Sequence, residues 1–497
     1  MTFSSEKVLP ILVRTLRYRA PVQVFFTKTM KIKHLIISLA LALASGTAAH
    51  AEGALGIDGE EATSVGLYIK NIATGEVLVE HNSKLALTPA SVMKALTTAS
   101  ALSLCGADTS FTTTVVLQGT REGSVLHGNL VLRAAADPTL ESENFKGRRG
   151  FADAIASRLA DEGITDIEGA IVVEKTLSGA GPIPQWEIED VAWPYGAALH
   201  GFNWRDNMVT LFPATGRTEP EAPGLEVCLE RAKSNDILRG AFSDRLLVWT
   251  RDPNDTKWSI NVSVPDPAAV FVAELTRKLR AKDIKVGDSP VAASGDTTLL
   301  YRHSSAPFGD IMRSLMVRSD NLFAEGMLRA IAPGASRDAA IAREKSVWKS
   351  RGIDAKYTII NDGSGLTRAN RLSPRFLGDV LEWMAKSEWA DDYTAFFPRA
   401  GRDGTLRGFL ADSPLKGRIA LKTGSVSSVQ CYAGYRLDAD GKPTHVVVMM
   451  VNGFFCPRKE VRKACEALLE KTFPMPAVKK SPARKKTSGK RRTQRRR

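Results

Sequence analysis

Alternating apolar and polar residues open and close the body of this chain, and both stretches read as antiparallel β-structure. Near the start, "TSVGLYIKNIATGEVLVEHNSK" (63–84) alternates on either side of Ala73-Thr74-Gly75, the pattern of a β-hairpin. It leads through Pro89 into "SVMKALTTASALSLC", where small and apolar residues predict a helix over 91–104, buried on most sides and stopped by Gly106. Near the end, "RIALKTGSV", "VQCYAGYRLD" and "THVVVMMVNGF" predict a three-stranded meander with a turn at 438–443, and "RKEVRKACEALLEKTF" a closing helix. Helical patterns over 307–332, 337–352 and 373–387 precede that meander. The first and last thirds therefore read as two halves of one α/β domain.

What separates them has a different texture. Between 111 and 300, short strand-like runs ("TTTVVLQG", "NLVLRA", "GAIVVE", "RLLVWT", "WSINVSV") alternate with Gly, Pro and Asp clusters. Two helices, at "GFADAIASRLADEG" and "PAAVFVAELTRKLRAKDI", complete what reads as one or two inserted α+β domains. At 497 residues the chain is too long for a single core. Hydrophobic residues at 43% and charged residues at 25% exclude wholesale disorder and a polytopic membrane protein. The expected division is 1–51 as a signal region, 52–110 with 301–478 as the split domain, 111–300 as the insertion, and 479–497 as a tail.

The net charge of +14 suggests nucleic acid until it is divided along the chain. "KKSPARKKTSGKRRTQRRR" (479–497) holds 11 Lys and Arg and no acid, and residues 1–51 carry a further +6, which leaves −3 for 52–478. The body is close to neutral, so no nucleic-acid partner is expected. From Met30, "MKIKHLIISLALALASGTAAHAEG" has two lysines, a short apolar run and small residues ending Ala49-His50-Ala51. That is the form of a secretory signal cleaved after Ala51, with Met30 as the start, and it predicts an exported, periplasmic protein. The tail reads as a solvated, disordered arm, with anionic envelope polymers as its candidate partner.

Five cysteines (Cys105, Cys228, Cys431, Cys456, Cys465) form no CxxC and no Cys/His cluster, so neither a zinc site nor another metal or cofactor is expected. An odd number leaves at least one free thiol.

The candidate chemistry starts at Ser91 and Lys94. A serine hydroxyl needs a base, and a lysine can serve when burial keeps it neutral. Three residues apart at the start of a helix, the two side chains share a face, and the first free N–H groups can bind an oxyanion. The pattern alone says little, because Ser-x-x-Lys occurs four times here, at Ser4, Ser91, Ser346 and Ser413. Ser-x-Asn occurs three times, at Ser142, Ser259 and Ser319, and Lys-Thr-Gly once, at Lys422. Context separates them. Only Ser91 starts a buried helix behind a hairpin, only Ser319 follows the insertion in a helical region, and Lys422 heads the terminal meander. Ser91-x-x-Lys94, Ser319-Asp320-Asn321 and Lys422-Thr423-Gly424, in that order, form the set of penicillin-recognising serine enzymes.

With "TPASVMK", "AADPTL", "PYGAA", "SAPFGDIMRSLMVRSDNLFAE", "NDGSGLTRANRLSP" and "LKTGS", the chain resembles the class C low-molecular-mass penicillin-binding proteins over roughly 60–470. These are D-alanyl-D-alanine carboxypeptidases/endopeptidases with extra domains between the first two motifs. The resemblance implies a penicillin-recognising transpeptidase-like fold, an antiparallel sheet flanked by helices. It implies Ser91 as nucleophile, Lys94 as base, Ser319 relaying protons with Lys94, and Asn321 on the substrate backbone. Lys422 and Thr423 would hold the terminal carboxylate, Gly424 would belong to the same substrate-binding strand, and Ser425 would add its side chain and an oxyanion N–H. The implied partners are peptidoglycan stem peptides, with β-lactams as covalent inhibitors. "AAADP" and "KTGSVSSV" depart from the commoner family wording around side-chain recognition.

Two other readings share the motifs. A serine β-lactamase is opposed by the long insertion and by the lack of an evident carboxylate base for deacylation. A non-catalytic peptidoglycan-binding protein is opposed by the intact triple set. Elsewhere, "DGSG" (362–365) reads as a glycine-permitted turn near the site, Asp137 as shaping a turn, and Tyr195 as a candidate for facing substrate. Seven histidines include no HExxH.

Overall fold

A computed structural model describes residues 54–476 apart from 149, 175, 176 and 294. The expected export signal and basic tail lie outside the described residues. Strands from both ends of the chain build one five-stranded antiparallel sheet, in the order Ile419–Val426, Val429–Leu437, Pro443–Asn452, Ser64–Asn71, Val77–His81. The join is the pair Ser64–Asn71 and Pro443–Asn452, which runs without a slip from Ser64 opposite Asn452 to Asn71 opposite His445. The N-terminal hairpin thus contributes two of the five strands, as its pattern predicts.

Side-chain alternation along these strands feeds two different cores. Tyr68, Ala420, Ala433, Tyr435, Val446, Val448 and Met450 point into a helical layer. Their neighbours Leu67, Ile69, Leu421, Tyr432, Val447, Met449 and Val451 pack under the closing helix Arg458–Thr472. Burial on both faces explains why "HVVVMMV" reads as a continuous apolar run rather than an alternating one. The layers are therefore helix, sheet, helix.

The helical layer centres on Met93–Cys105, every residue of which is buried from Met93 to Leu102. Such a helix has no polar face because helices surround it: Phe308–Arg318, Asn321–Ala330 and Pro374–Lys386 all pack on it. Gly106 ends it at φ 78°, donating its N–H to Leu102 O. The sequence pattern over 307–332 reads as one helical region, but the chain breaks at Ser319, which turns left-handed at φ 65°. Asp320 then restarts the helix as a cap, its carboxylate accepting from Phe323 N.

Residues 112–304 add a six-stranded mixed sheet and two three-stranded sheets. Helices Phe151–Asp161 and Pro267–Arg280 pack on the larger sheet, with Phe151, Ile155, Phe271 and Leu275 in its core. Strand Thr297–Ser304 pairs with Thr112–Glu122, and Ser305 N donates to Phe111 O at 2.9 Å. The segment thus leaves the helical layer and returns to it side by side. It also reaches back: Ile183, Trp186 and Ala198 pack with Leu366. Among the described residues all five cysteines are free, and no helix is long and apolar enough to cross a membrane.

Candidate active site

The turn that starts the buried helix is tightly made. Ala90, immediately before Ser91, is left-handed at φ 46°, a conformation that costs a non-glycine residue on the order of 1–2 kcal/mol. Two glycines allow the surrounding backbone to close on it. A Cβ on Gly365 would stand 1.9 Å from Ala90 O, and one on Gly424 would stand 2.9 Å from Ser91 N. Gly365 comes from the "DGSG" turn and Gly424 from the edge strand Ile419–Val426. Both elements therefore press directly on the turn that carries Ser91.

Lys94 sits one turn on and is fully buried. Its Nζ stands 3.0 Å from Ser91 Oγ, donates to Asn321 Oδ1 at 2.6 Å and donates to Ser364 O at 2.6 Å. Burial lowers its pKa to about 8 against the pull of Asp362, Asp320 and Glu325. The chemistry follows from counting. A neutral amine has two hydrogens and one lone pair. The amide oxygen and the carbonyl can only accept, so they take both hydrogens and leave the lone pair facing the Ser91 hydroxyl. A base within hydrogen-bond reach of its nucleophile is the geometry nucleophilic catalysis needs.

A second buried lysine lies on the edge strand. Lys422 Nζ donates to Ser319 Oγ at 2.9 Å and to Thr423 O at 2.6 Å, and burial with the nearby Lys94 charge pushes its pKa well down. Ser319 thus pairs with Lys422, whereas the family resemblance would have it share protons with Lys94. Its left-handed backbone places it between the two helices, where a continuous helix would have carried it away from the strand. Asn321, at the start of the next helix, is tied to Lys94 by its oxygen and donates through Nδ2 to Tyr195 O at 2.8 Å.

These groups border a cleft of about 390 Å³. Ser91, Ser319, Asn321, Thr423 and Ser425 line it, while Lys94, Lys422 and Gly424 lie behind its wall. All eight residues singled out from the sequence are thus gathered at one place. A larger, mainly apolar cavity of about 550 Å³ opens beside Leu104 and Cys105, at the opposite end of the same helix, and contains none of them.

Several participants were not singled out. Thr405 accepts from Thr423 Oγ1 at 2.7 Å at the cleft rim. The Ser364 carbonyl holds Lys94, although "DGSG" reads only as a turn; its glycines were the available signal. Asp362 stabilises that turn, accepting from Trp186 Nε1, Gly365 N, Thr367 N and Asn370 Nδ2. Tyr195 does line the cleft, half exposed, with its hydroxyl donating to Asp190 at 2.9 Å. Asp137 shapes a turn as expected, accepting from Thr139 N and Oγ1.

The comparisons with known proteins agree with this geometry. A D-alanyl-D-alanine carboxypeptidase of Actinomadura sp. (strain R39) is 27% identical over 424 residues, 77% of each chain. D-alanyl-D-alanine carboxypeptidase DacB of Haemophilus influenzae is 26% identical over 429 residues, 79% of this chain and 86% of that one. The crystal structure of penicillin binding protein 4 (dacB) from the same organism superposes with a TM-score of 0.70 at 25% identity, covering 83% of this chain and 96% of that chain. The sequence model of the D-Ala-D-Ala carboxypeptidase 3 (S13) family matches residues 53–472, which with the Ser91–Lys94 pair at the head of a buried helix makes this chain a member of that family.

Proposed function

We propose that the chain is a serine-type D-Ala-D-Ala carboxypeptidase/endopeptidase of peptidoglycan stem peptides, working through an acyl-enzyme on Ser91. The observation that carries this reading is the Lys94 amine, buried and held by Asn321 Oδ1 and Ser364 O with Ser91 Oγ at 3.0 Å. In acylation Lys94 takes the Ser91 proton as Oγ attacks the penultimate D-Ala carbonyl. The N–H groups of Ser91 and Ser425 receive the oxyanion, each such donor contributing on the order of 3 kcal/mol in the transition state. The proton passes to the leaving amine, which departs as D-alanine or as the amino group of a neighbouring stem peptide. Water then attacks the ester, one proton returns to Ser91, and the shortened peptide leaves as its acid.

Lys422, Thr423 and Gly424 are assigned to the terminal carboxylate of the substrate, and Ser319, bonded to Lys422, to proton transfer near the leaving group. β-Lactams, which mimic the D-Ala-D-Ala end, acylate the same serine; the relative's designation as a penicillin binding protein supports this. The export pattern supports a periplasmic location, and the insertion over 111–300 supports a split catalytic domain.

The test is to incubate the chain, expressed with its signal, with a fluorescent penicillin and with a D-Ala-D-Ala muropeptide, beside Ser91→Ala. Stable labelling and D-alanine release, both absent in the variant, are expected, on a periplasmic band that begins at Glu52. Rapid turnover of the penicillin would point to a β-lactamase, and absence of labelling to a non-catalytic wall-binding protein.

A further inference from the structure

Behind the cleft, helix Asn321–Ala330 carries a carboxylate that does not reach the cleft surface. Glu325 is 2% exposed, and its Oε1 accepts from Gly363 N at 3.0 Å and from Ser364 N at 2.8 Å. The other side of the same turn faces the nucleophile helix. Gly363 O accepts from Thr97 Oγ1 at 2.8 Å, and Ser364 O accepts from Lys94 Nζ at 2.6 Å. The turn is wedged so closely that a Cβ on Gly363 would stand 2.9 Å from Leu328 Cβ and 3.2 Å from Thr97 Cγ2. Its conformation is therefore set from both sides, by Glu325 on one and by Thr97 and Lys94 on the other.

We propose that Glu325 is a positioning residue for the reaction: by clamping the Gly363–Ser364 turn it fixes the carbonyl that orients the Lys94 amine toward Ser91. The inference rests on the reading of Ser91 and Lys94 given above. Glu325 touches no substrate; it acts through the two peptide N–H groups of Gly363 and Ser364. Asp362 completes the clamp on the next peptide, the one that carries Ser364 O, accepting from Gly365 N at 2.8 Å.

The charges facing Glu325 come from every element packed around it. Asp362 belongs to the turn, Arg329 to its own helix, Arg337 and Glu344 to helix Arg337–Ser350, and Lys94 to the nucleophile helix. Burial and the Asp362 charge hold its carboxyl above the usual range. Its negative charge in turn raises Lys94. A glutamine would keep the accepting oxygen and remove the charge, whereas an alanine would remove both.

The experiment measures penicillin acylation against pH, and KM and kcat for D-alanine release, in the parent, Glu325→Ala and Glu325→Gln. Glu325→Ala is expected to lower acylation and kcat about 10²-fold with KM little changed, as for a catalytic group displaced by about 1 Å. Glu325→Gln is expected to keep the parent's alkaline plateau and move the acidic limb of the profile to lower pH. Parent-like acylation in Glu325→Ala, with only a lower unfolding temperature, overturns the proposal. If Glu325→Ala does not fold, Glu325→Asp, whose carboxylate is one methylene short of the Gly363 and Ser364 N–H groups, replaces it, and parent-like acylation and kcat in Glu325→Asp overturn the proposal. A parent that neither takes up penicillin nor releases D-alanine rejects the reading of the site itself, which the variants cannot do.

Discussion

At the scale of single residues, the decisive quantity is the protonation of Lys94. Burial lowers it to about 8, so the amine is mostly charged at pH 7 and, in the role proposed for it, becomes the competent base as the pH rises through that value. The rate of penicillin acylation is accordingly expected to climb through about pH 8 and then level; a profile flat across that range would contradict the assignment. Lys94→Arg, which stays charged, is expected to lose about 10²- to 10⁴-fold in the same assay. The residue types at Ser91, Lys94, Ser319, Asn321 and Lys422 were legible because each brings a side chain that the chemistry needs. Ser364 was not, since it contributes a backbone carbonyl, which any residue carries. Nor was the partner of Ser319, because two buried lysines lie within reach of the same motif set and only the left-handed turn at Ser319 directs it to Lys422.

At the scale of elements, the hairpin, the buried helix and the terminal meander follow from periodicity and from Gly and Pro placement. The break at Ser319 does not. Apolar residues continue in helical spacing across it, and the only local sign is Asp320, a good cap with Phe323 N in range. A second element escaped the pattern: the irregular stretch around Trp186 and Tyr195, counted with the insertion, bonds to residues around the cleft. Trp186 Nε1 donates to Asp362 at 3.0 Å and Tyr195 O accepts from Asn321. Trp186→Phe keeps an aromatic ring but a smaller one, and removes one donor to a buried carboxylate. It is expected to cost about 1–3 kcal/mol in denaturant unfolding and to slow acylation, because the "DGSG" turn loses a tether. An unchanged midpoint and rate would show that this stretch does not support the site.

At the scale of the molecule, the helical layer behind the site carries buried acid. Glu344 is fully buried against the helix that carries Ser91 and Lys94, beside Ser100, and burial raises its carboxyl to about 7. A carboxyl raised in the folded state stabilises below its unfolded value near 4.5, and that contribution is lost as the pH rises through about 7. Glu344→Gln is therefore expected to raise the unfolding temperature at pH 8, by the equivalent of about 2–3 kcal/mol, and to change it little at pH 4. An equal effect at both values would exclude the charge as the cause.

The amino-acid sequence by itself determined the local pieces and the chemistry they could carry: hairpin, buried helix, meander, three spaced motifs and an insertion of different texture. Periodicity and residue type are local properties, so a linear reading reaches them. The tertiary structure decided what depends on chain segments far apart: that Ser64–Asn71 pairs with Pro443–Asn452, that Ser319 faces Lys422, and that a carbonyl from Ser364 orients Lys94. Backbone hydrogen bonds carry no side-chain signature, and left-handed turns at Ala90 and Ser319 are imposed by packing rather than by propensity. For that reason the residues proposed to be catalytic could be named before folding was considered, while the way each is held could not.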